Sequence, residues 1–597
     1  MPGICGALGA DNEQYSNLRH EFSRPWTDCQ FVSFPGGFIG GHTFGPTSAV
    51  QTLNESCHFA VDGEASIYSF YIKQDNGAGS FRTSQESLHL TEAFKGNVVW
   101  VDLRSRICRL EAEQTGTFPL YYTLTASGQL LFSSSLKPLA KVIHASPDLV
   151  GISEFVTWHH TFHRRTYFQN VFRLLPGQVL TYHLDTRRLD IQAPRVTWVG
   201  NKKLSADEVD CEVLWHSLKT AVKSRFDSEK RHALMMSAGW DSRLLLCAML
   251  EHLGSNKIVA YTYGDMSSHE LQVVNQICQS TGVECILEPL NDSLYELGFL
   301  ERTFNRLENV RYPQWHRASE QLSGIGVQSI SAGVYGEVLG GHYGPEIALR
   351  GIKKGIHVGG SLIGIPILFN SFERLRHPGK PRTRWFLTKG ARADVRDASR
   401  EMNNEVEAVW LDLEQLGVKN REQLIEAFVA LTRGSRLINQ QILSCRANLE
   451  IAVPFIDFDL LKLVSQIPQS VKIHNSMSRK ILQRYGASLL RFPTGATLVP
   501  ASMSIFSQEA SRVIRWQRDK IADKLSGSPR LGLGYWGLDF LRNGRSLRTI
   551  LDDLRSDIWD RDVIEQSIKN VAEHKEANMY DIHTDFLTMY TMDLMLR

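Results

Sequence analysis

One stretch, HALMMSAGWDSRLLLCAML from His232 to Leu250, carries the residue types best suited to chemistry. Ala233, Leu234, Met235 and Met236 form an unbroken apolar run, the pattern of a buried strand. Ser237-Ala238-Gly239-Trp240-Asp241-Ser242 makes a small-residue turn. Leu244, Leu245, Leu246, Met249 and Leu250 then recur at helical spacing, with Gly254 as a stop. A turn of this kind between a strand and a helix start exposes backbone N–H groups at the positive end of the helix dipole, which is a seat for phosphate. Ser237 and Ser242 add hydroxyl donors, and Asp241 can hold a divalent cation beside the phosphates. No Gly-Lys-Ser/Thr follows, so the loop is not of the Walker type. The plain alternative is an ordinary strand-to-helix turn.

The elements that must position this loop change character along the chain. At 597 residues the protein exceeds one core, and two or three domains are expected. Residues 1–205 read as mostly β, with runs at Phe31–Phe34, Cys57–Val61, Ser66–Ile72, Asn97–Leu103, Leu120–Leu124, Gln129–Ser133 and Gln178–His183. From about Asp207, strand and helix alternate. Asp207–Asp227 makes an amphipathic helix, and Ile258–Tyr263 a strand. Ser267-Ser268-His269-Glu270 is a capping-box spacing for a helix ending near Gly282, and Val283–Leu287 is the next strand. The expected fold is α/β: an N-terminal antiparallel β-sandwich, then a doubly wound parallel sheet with a helical C-terminal part and a nucleotide over the carboxyl ends of the strands.

Composition narrows the function classes. With 43% hydrophobic residues, 22% charged residues and a formal charge of +2, nothing draws the chain to nucleic acid or membrane. Nine cysteines without CxxC pairs argue against a disulfide framework or a zinc ribbon and fit a reducing cytoplasm. The start, MPGICGALGADNEQ, lacks the basic and apolar regions of a signal peptide, and no run of about 18 apolar residues spans a bilayer.

Several phrases in order resemble the glutamine-dependent asparagine synthetases. Met1-Pro2-Gly3-Ile4-Cys5-Gly6 resembles their opening, and Val61-Asp62-Gly63-Glu64 their glutamine-pocket strand. Thr115-Gly116-Thr117-Phe118-Pro119-Leu120-Tyr121-Tyr122, Leu131–Lys137 and Leu174-Leu175-Pro176-Gly177 resemble their hairpins and closing turn. The resemblance implies a glutaminase-like, Ntn-hydrolase-like αββα domain over 1–205 and an ATP-pyrophosphatase ligase domain over 206–597. It departs where it matters most. The family's nucleophile is a cysteine at position 2, and here that residue is Pro2, so no ammonia is expected from glutamine. Cys5 reads as a small buried apolar residue.

In the second half, Ser237–Ser242 resembles the family's pyrophosphate loop. Tyr261, Thr262, Tyr263 and Gly264 stand where it holds adenine and ribose. Ser331-Ala332-Gly333-Val334-Tyr335-Gly336-Glu337-Val338-Leu339-Gly340-Gly341 resembles its second nucleotide loop, with Gly333 and Gly336 in place of acids. Glu337 either replaces the missing metal ligand or only caps the next helix. Arg446–Asp457, which includes Glu450, and the helix with Lys480 and Arg484 resemble its last site segments. The resemblance thus implies ATP bound by Ser237, Ala238, Gly239, Trp240, Asp241, Ser242, Tyr261, Thr262, Tyr263, Gly264, Ser331, Ala332 and Gly333. It also implies Mg²⁺ on Asp241 and Glu337, and catalysis by Lys480, Glu450 and Arg484. A basic segment between Arg350 and Arg400 has no counterpart: a lid, a peptide surface or a solvated insertion.

Without a glutaminase cysteine the amine must come with the substrate, so intramolecular amide formation is expected. The preferred form is closure of the macrolactam ring of a lasso peptide delivered by a leader-peptide protease, since the Tyr of β-lactam synthetases has no match at Gly333. A β-lactam or carbapenam synthetase, and a non-catalytic pseudo-synthetase scaffold, are the alternatives.

Overall fold

The computed structural model describes residues 3–9, 12–26, 28–42, 50–54, 56–64, 95–200, 203–266, 268–344, 347, 360, 371–376, 386–526, 545–555, 557–573 and 579–597. The expected strand at Ser66–Ile72, residue Pro2 and, in the basic segment, Lys353, Lys354, Lys380, Arg382 and Arg384 lie outside them.

Twelve strands in the first third form two antiparallel sheets: β1 Gly3–Leu8, β2 Gln30–Phe34, β3 Gly37–His42, β4 Val50–Asn54, β5 Cys57–Gly63, β6 Gly96–Asp102, β7 Ile107–Glu111, β8 Tyr121–Leu124, β9 Leu130–Ser133, β10 Phe172–Arg173, β11 Val179–His183 and β12 Leu189–Ile191. Their orders are β10-β8-β9-β1-β3-β2 and β12-β11-β7-β6-β5-β4. Ile4, Leu8, Ile39, Val99, Leu110, Leu130, Phe132 and Leu180 fill the layer between them. Helices α1 (Asn12–Ser23), α2 (Leu136–Val142) and α3 (Leu149–Trp158) bury Leu18, Phe22, Leu139 and Phe155 in a core shared with Cys5, Ala7 and Phe38 of the first sheet. Alternation explains both layers, since each strand feeds one face to each side. Strand β3 was not expected, because GFIGGH reads as turn. Its glycine is there for packing: a Cβ on Gly40 would meet the Phe31 ring at 2.2 Å.

The second sheet system is parallel. Strands β13 His232–Met235, β14 Ile258–Gly264, β15 Glu284–Pro289, β16 Ser329–Ala332 and β17 Glu450–Ala452 lie in the order β15-β14-β13-β16-β17. Central β13 is buried on both faces, as its continuous apolar run requires. The expected helix over Asp207–Asp227 is instead a short turn at Ala206–Glu208 followed by α4, Cys211–Lys223. Asp210 caps α4 by accepting from the Glu212 N–H at 2.7 Å. Helix α5 (Trp240–Leu253) ends at Gly254. Helix α6 (His269–Thr281) starts at Ser268, whose hydroxyl accepts from Leu271 N–H, and ends at Gly282 with φ 69°. Helices α7 (Leu297–Leu307), α8 (Pro313–Gly324), α9 (Gly336–Gly340), α10 (Ser476–Tyr485) and α11 (Met579–Leu596) follow. Among the described residues no helix is long and apolar enough to cross a membrane. In the basic segment, Arg376 is spent on ion pairs with Glu407 and Glu414.

Candidate active site

The Ser237–Ser242 turn stands at the carboxyl end of central β13, where α5 begins. Ser242 Oγ donates to Ser237 O at 2.8 Å and lies 3.0 Å from Ser237 Oγ, so the two hydroxyls pinch the turn from both ends. Gly239 N–H donates to Ser237 Oγ at 3.2 Å, and Ala238 N–H to the Glu270 carboxylate at 3.3 Å. No side chain caps α5. Its first N–H groups therefore face outward at the positive end of the helix, as phosphate binding requires.

Two residues that the sequence did not assign to the site hold the turn. Arg243, fully buried, donates to the carbonyls of Ala238, Leu489, Phe492 and Pro493, tying the loop to the segment after α10. Burial lowers its pKa to about 10, so it keeps its charge. Glu270 at the start of α6 is the other. The sequence offered Glu270 only as a capping-box residue and gave Arg243 no role.

The second loop meets the first at Asp241. A Cβ on Gly336 would lie 2.4 Å from Asp241 Cγ, and one on Gly333 3.0 Å from Asp241 Cβ. The two glycines that replace acids are thus what lets the loops touch. Tyr335 between them is left-handed, with φ 69°, a costly conformation for an aromatic residue. Its hydroxyl donates to Thr115 O at 3.2 Å, a carbonyl in the turn before β8, so the N-terminal sheets brace this loop.

Here two acids keep an unpaired oxygen each. Asp241 Oδ1 and Glu337 Oε2 are buried and accept no hydrogen bond among the described residues, and Ser331 Oγ and Tyr343 Oη beside them are likewise unpaired. Burial, with the Glu337 charge added, pushes the Asp241 carboxyl well above its ordinary range. Burial also raises Glu337, against hydrogen bonds from its own N–H and that of Tyr335 and the weaker pull of Arg433. Two buried carboxylates that feel each other and have oxygens to spare share a proton or hold a cation. The donor set is hard oxygen and fits Mg²⁺. The Tyr335 side chain does not cap α9; the Glu337 carboxylate itself accepts from the backbone N–H groups of Tyr335 and Glu337 at the start of that helix, so its expected capping role is met while Oε2 stays unpaired.

Of the expected nucleotide residues, Ser237, Ala238, Gly239, Trp240, Asp241, Ser242, Ser331, Ala332 and Gly333 come together at this edge. Thr262, Tyr263 and Gly264 end neighbouring β14, and the Tyr263 hydroxyl accepts from Trp315 Nε1 at 2.8 Å. Tyr261 stands at this level too, its carbonyl accepting from Met236 N–H at 2.8 Å, but its side chain is fully buried and donates to Gln321 on α8 at 2.8 Å. The three expected catalytic residues stand apart. Glu450 pairs in register with Ser329, which pairs with His232, so it lies at the opposite edge of the sheet. Three residues of strand, about 10 Å, separate that level from Met235. Lys480 is exposed, and its charge acts on Cys211 at the start of α4. Arg484 pairs with exposed Glu212 there at 2.7 Å. The i, i+4 face they share is turned to solvent because Met477, Ile481 and Leu482 take the buried face.

In the N-terminal sheets, Cys5 is fully buried and burial raises its pKa far up, as for an inert core thiol. The pocket carboxylates are spent on the rest of the protein. Asp62 accepts from Arg446 at 2.6 Å and from Ser134 Oγ at 2.7 Å. Glu64 pairs with Arg225 and accepts from Val453 N–H at 2.7 Å.

Residues 89–191 match a family model described as a glutamine amidotransferase domain. This segment is similar to such a domain. No curated protein matches the chain. Two solved structures share low identity with it. One, described as the allosteric regulatory enzyme of purine biosynthesis, has 11% identity over 48% of this chain and 80% of its own, with a TM-score of 0.22. The other, glutamine phosphoribosylpyrophosphate amidotransferase from B. subtilis complexed with ADP and GMP, has 10% identity over 55% and 81%, with a TM-score of 0.21. Superposition that loose carries no argument.

Proposed function

We propose that the chain is an asparagine synthetase-like, ATP-dependent ligase that activates a carboxylate with release of pyrophosphate and joins it to an amine of the same substrate. The observation that carries this reading is the pair of unpartnered buried oxygens, Asp241 Oδ1 and Glu337 Oε2, beside an uncapped helix start. ATP as substrate supplies the adenylyl group. Ser237, Ser242 and the first N–H groups of α5 bind phosphate oxygens, and Asp241 and Glu337 hold the magnesium that offsets their charge. Arg243 and Glu270 keep the turn in shape.

The N-terminal sheets serve as a brace and not as an ammonia source. Pro2 offers no thiol, and Asp62 and Glu64 are occupied by Arg446 and Arg225. The substrate therefore brings its own amine, and closure of a peptide macrolactam, the lasso-peptide reaction, is the form we favour. The peptide would reach the enzyme in the cytoplasm from a leader-peptide protease.

The test is pyrophosphate release from Mg-ATP with and without a candidate core peptide, product mass being read in parallel. Asp241→Asn should cut release about a hundredfold or more while circular dichroism stays unchanged. Normal turnover by that variant would remove the metal-binding acid from the reading.

A further inference from the structure

A cavity lies where β8 and β10, α2 and α3, the turn between α7 and α8, and α11 come together. None of its lining residues belongs to the Ser237–Ser242 or Ser331–Gly341 loops. The room it leaves for the centres of water-sized molecules is about 60 Å³. One water needs about 10–15 Å³ by that measure, so the space takes several waters or one small molecular ion.

Three arginines line it, Arg173, Arg311 and Arg436, exposed by only 7%, 6% and 6%. Their hydrogen bonds go to neutral carbonyls. Arg173 donates to Gly116 O at 2.9 Å, Arg311 to His159 O at 3.1 Å, and Arg436 to Thr161 O at 3.0 Å and His163 O at 2.6 Å. The Nε groups of Arg311 and Arg436 have no acceptor among the described residues. Glu308 is the carboxylate in the lining, and both its oxygens already accept from the N–H groups of Leu136 and Lys137 at the start of α2. Glu154 and Glu405, whose charges Arg436 feels, do not line the cavity, and burial pushes Glu154 toward its neutral form. Burial, then the Arg436, Arg433 and Arg311 charges, hold His160 neutral with a pKa of about 3. Burial and the Arg173 charge lower Arg436 only to about 9, so it is charged at neutral pH.

Three buried guanidinium groups around one lining carboxylate leave an excess of positive charge, which is costly unless something brings further negative charge to them. We propose that this cavity binds a small anion that presents carboxylate or phosphate oxygens to Arg173, Arg311 and Arg436. Planar guanidinium forks suit both groups, and a neutral isostere brings no charge to offset theirs and should bind far more weakly.

Calorimetric titration of the full chain at constant ionic strength tests this, with sodium phosphate, sodium acetate and neutral acetamide as probes. Phosphate or acetate should bind, and acetamide should not. Arg436→Met and Arg311→Met should weaken the anion at least tenfold, whereas Ser242→Ala in the phosphate loop should leave this binding in place. Phosphate alone or acetate alone identifies which chemistry the site takes. Should the arginine variants fail to fold, wild-type crystals soaked in arsenate, or in bromoacetate where acetate was the binder, decide the matter. An anomalous peak among the three arginines supports the site. Its absence, no anion binding by the wild type, or unchanged binding in folded arginine variants overturns it.

Discussion

Gly336→Ala tests how the two loops meet. The new Cβ would lie 2.4 Å from Asp241 Cγ, 2.5 Å from its Cβ and 2.8 Å from Oδ1. Carbon atoms pack at about 3.5–4.0 Å, so the first turn of α5 or the start of α9 must move by about an ångström. Enlarging a residue at a packed site costs about 1–3 kcal/mol. The cost arises against Asp241, so it should largely vanish in an Asp241→Gly background, giving a coupling of about 1–2 kcal/mol in a double-mutant cycle. Gly298→Ala on α7, with nothing within 4 Å of its Cβ, is the control and should not destabilise. Urea midpoints for the four members of the cycle give the energies. Titration with ATP, with and without magnesium, reads the site, and Gly336→Ala should lose about tenfold or more of the magnesium-dependent affinity, about 1.4 kcal/mol. Equal destabilisation by Gly336→Ala in both backgrounds would refute the steric argument. Unchanged magnesium-dependent affinity would show that Asp241 is not part of the metal site.

Three further outcomes are expected. The wild type should release no glutamate from glutamine in a coupled assay, and Pro2→Cys alone should not change this, because Asp62 and Glu64 remain tied to Arg446 and Arg225. Lys480→Ala should leave pyrophosphate release close to wild type, because that lysine is exposed on the α4 side; a large loss would mean that α10 turns inward when substrate binds. Acid should weaken the contact between the N-terminal sheets and the parallel-sheet region. Burial favours protonation of Asp457, but Arg225 and then Lys95, 2.9 and 3.0 Å away, overcome it and hold the pKa at about 2. Being depressed on folding, this group adds stability above its unfolded pKa of about 3.9, and the gain is lost as pH falls toward 2. About 2 kcal/mol is at stake, and urea midpoints between pH 5 and 2 should fall more steeply for the wild type than for Asp457→Asn.

What the sequence determined by itself is local. The apolar run before Ser237, the helical spacing after it and Gly254 define a strand, turn and helix without any distant contact, and the structure has all three. The period-two runs of the first third and the caps of α6 were legible for the same reason: backbone geometry and near-neighbour hydrogen bonds set them. Tertiary structure decided everything that depends on what lies across a gap. Strand β3 forms because Phe31 fills the space over Gly40, which no local pattern records. Glu450 falls at the wrong edge of the sheet because register is set by pairing with β16. Helical spacing put Lys480 and Arg484 on one face, but only packing against α5 made that face the solvent side. The two acids with unpaired oxygens are the clearest case. Asp241 and Glu337 become a pair because Gly333 and Gly336 have no side chains to keep the loops apart. Deleting two acids, which read in the sequence as a loss of metal ligands, is what brings the remaining two together.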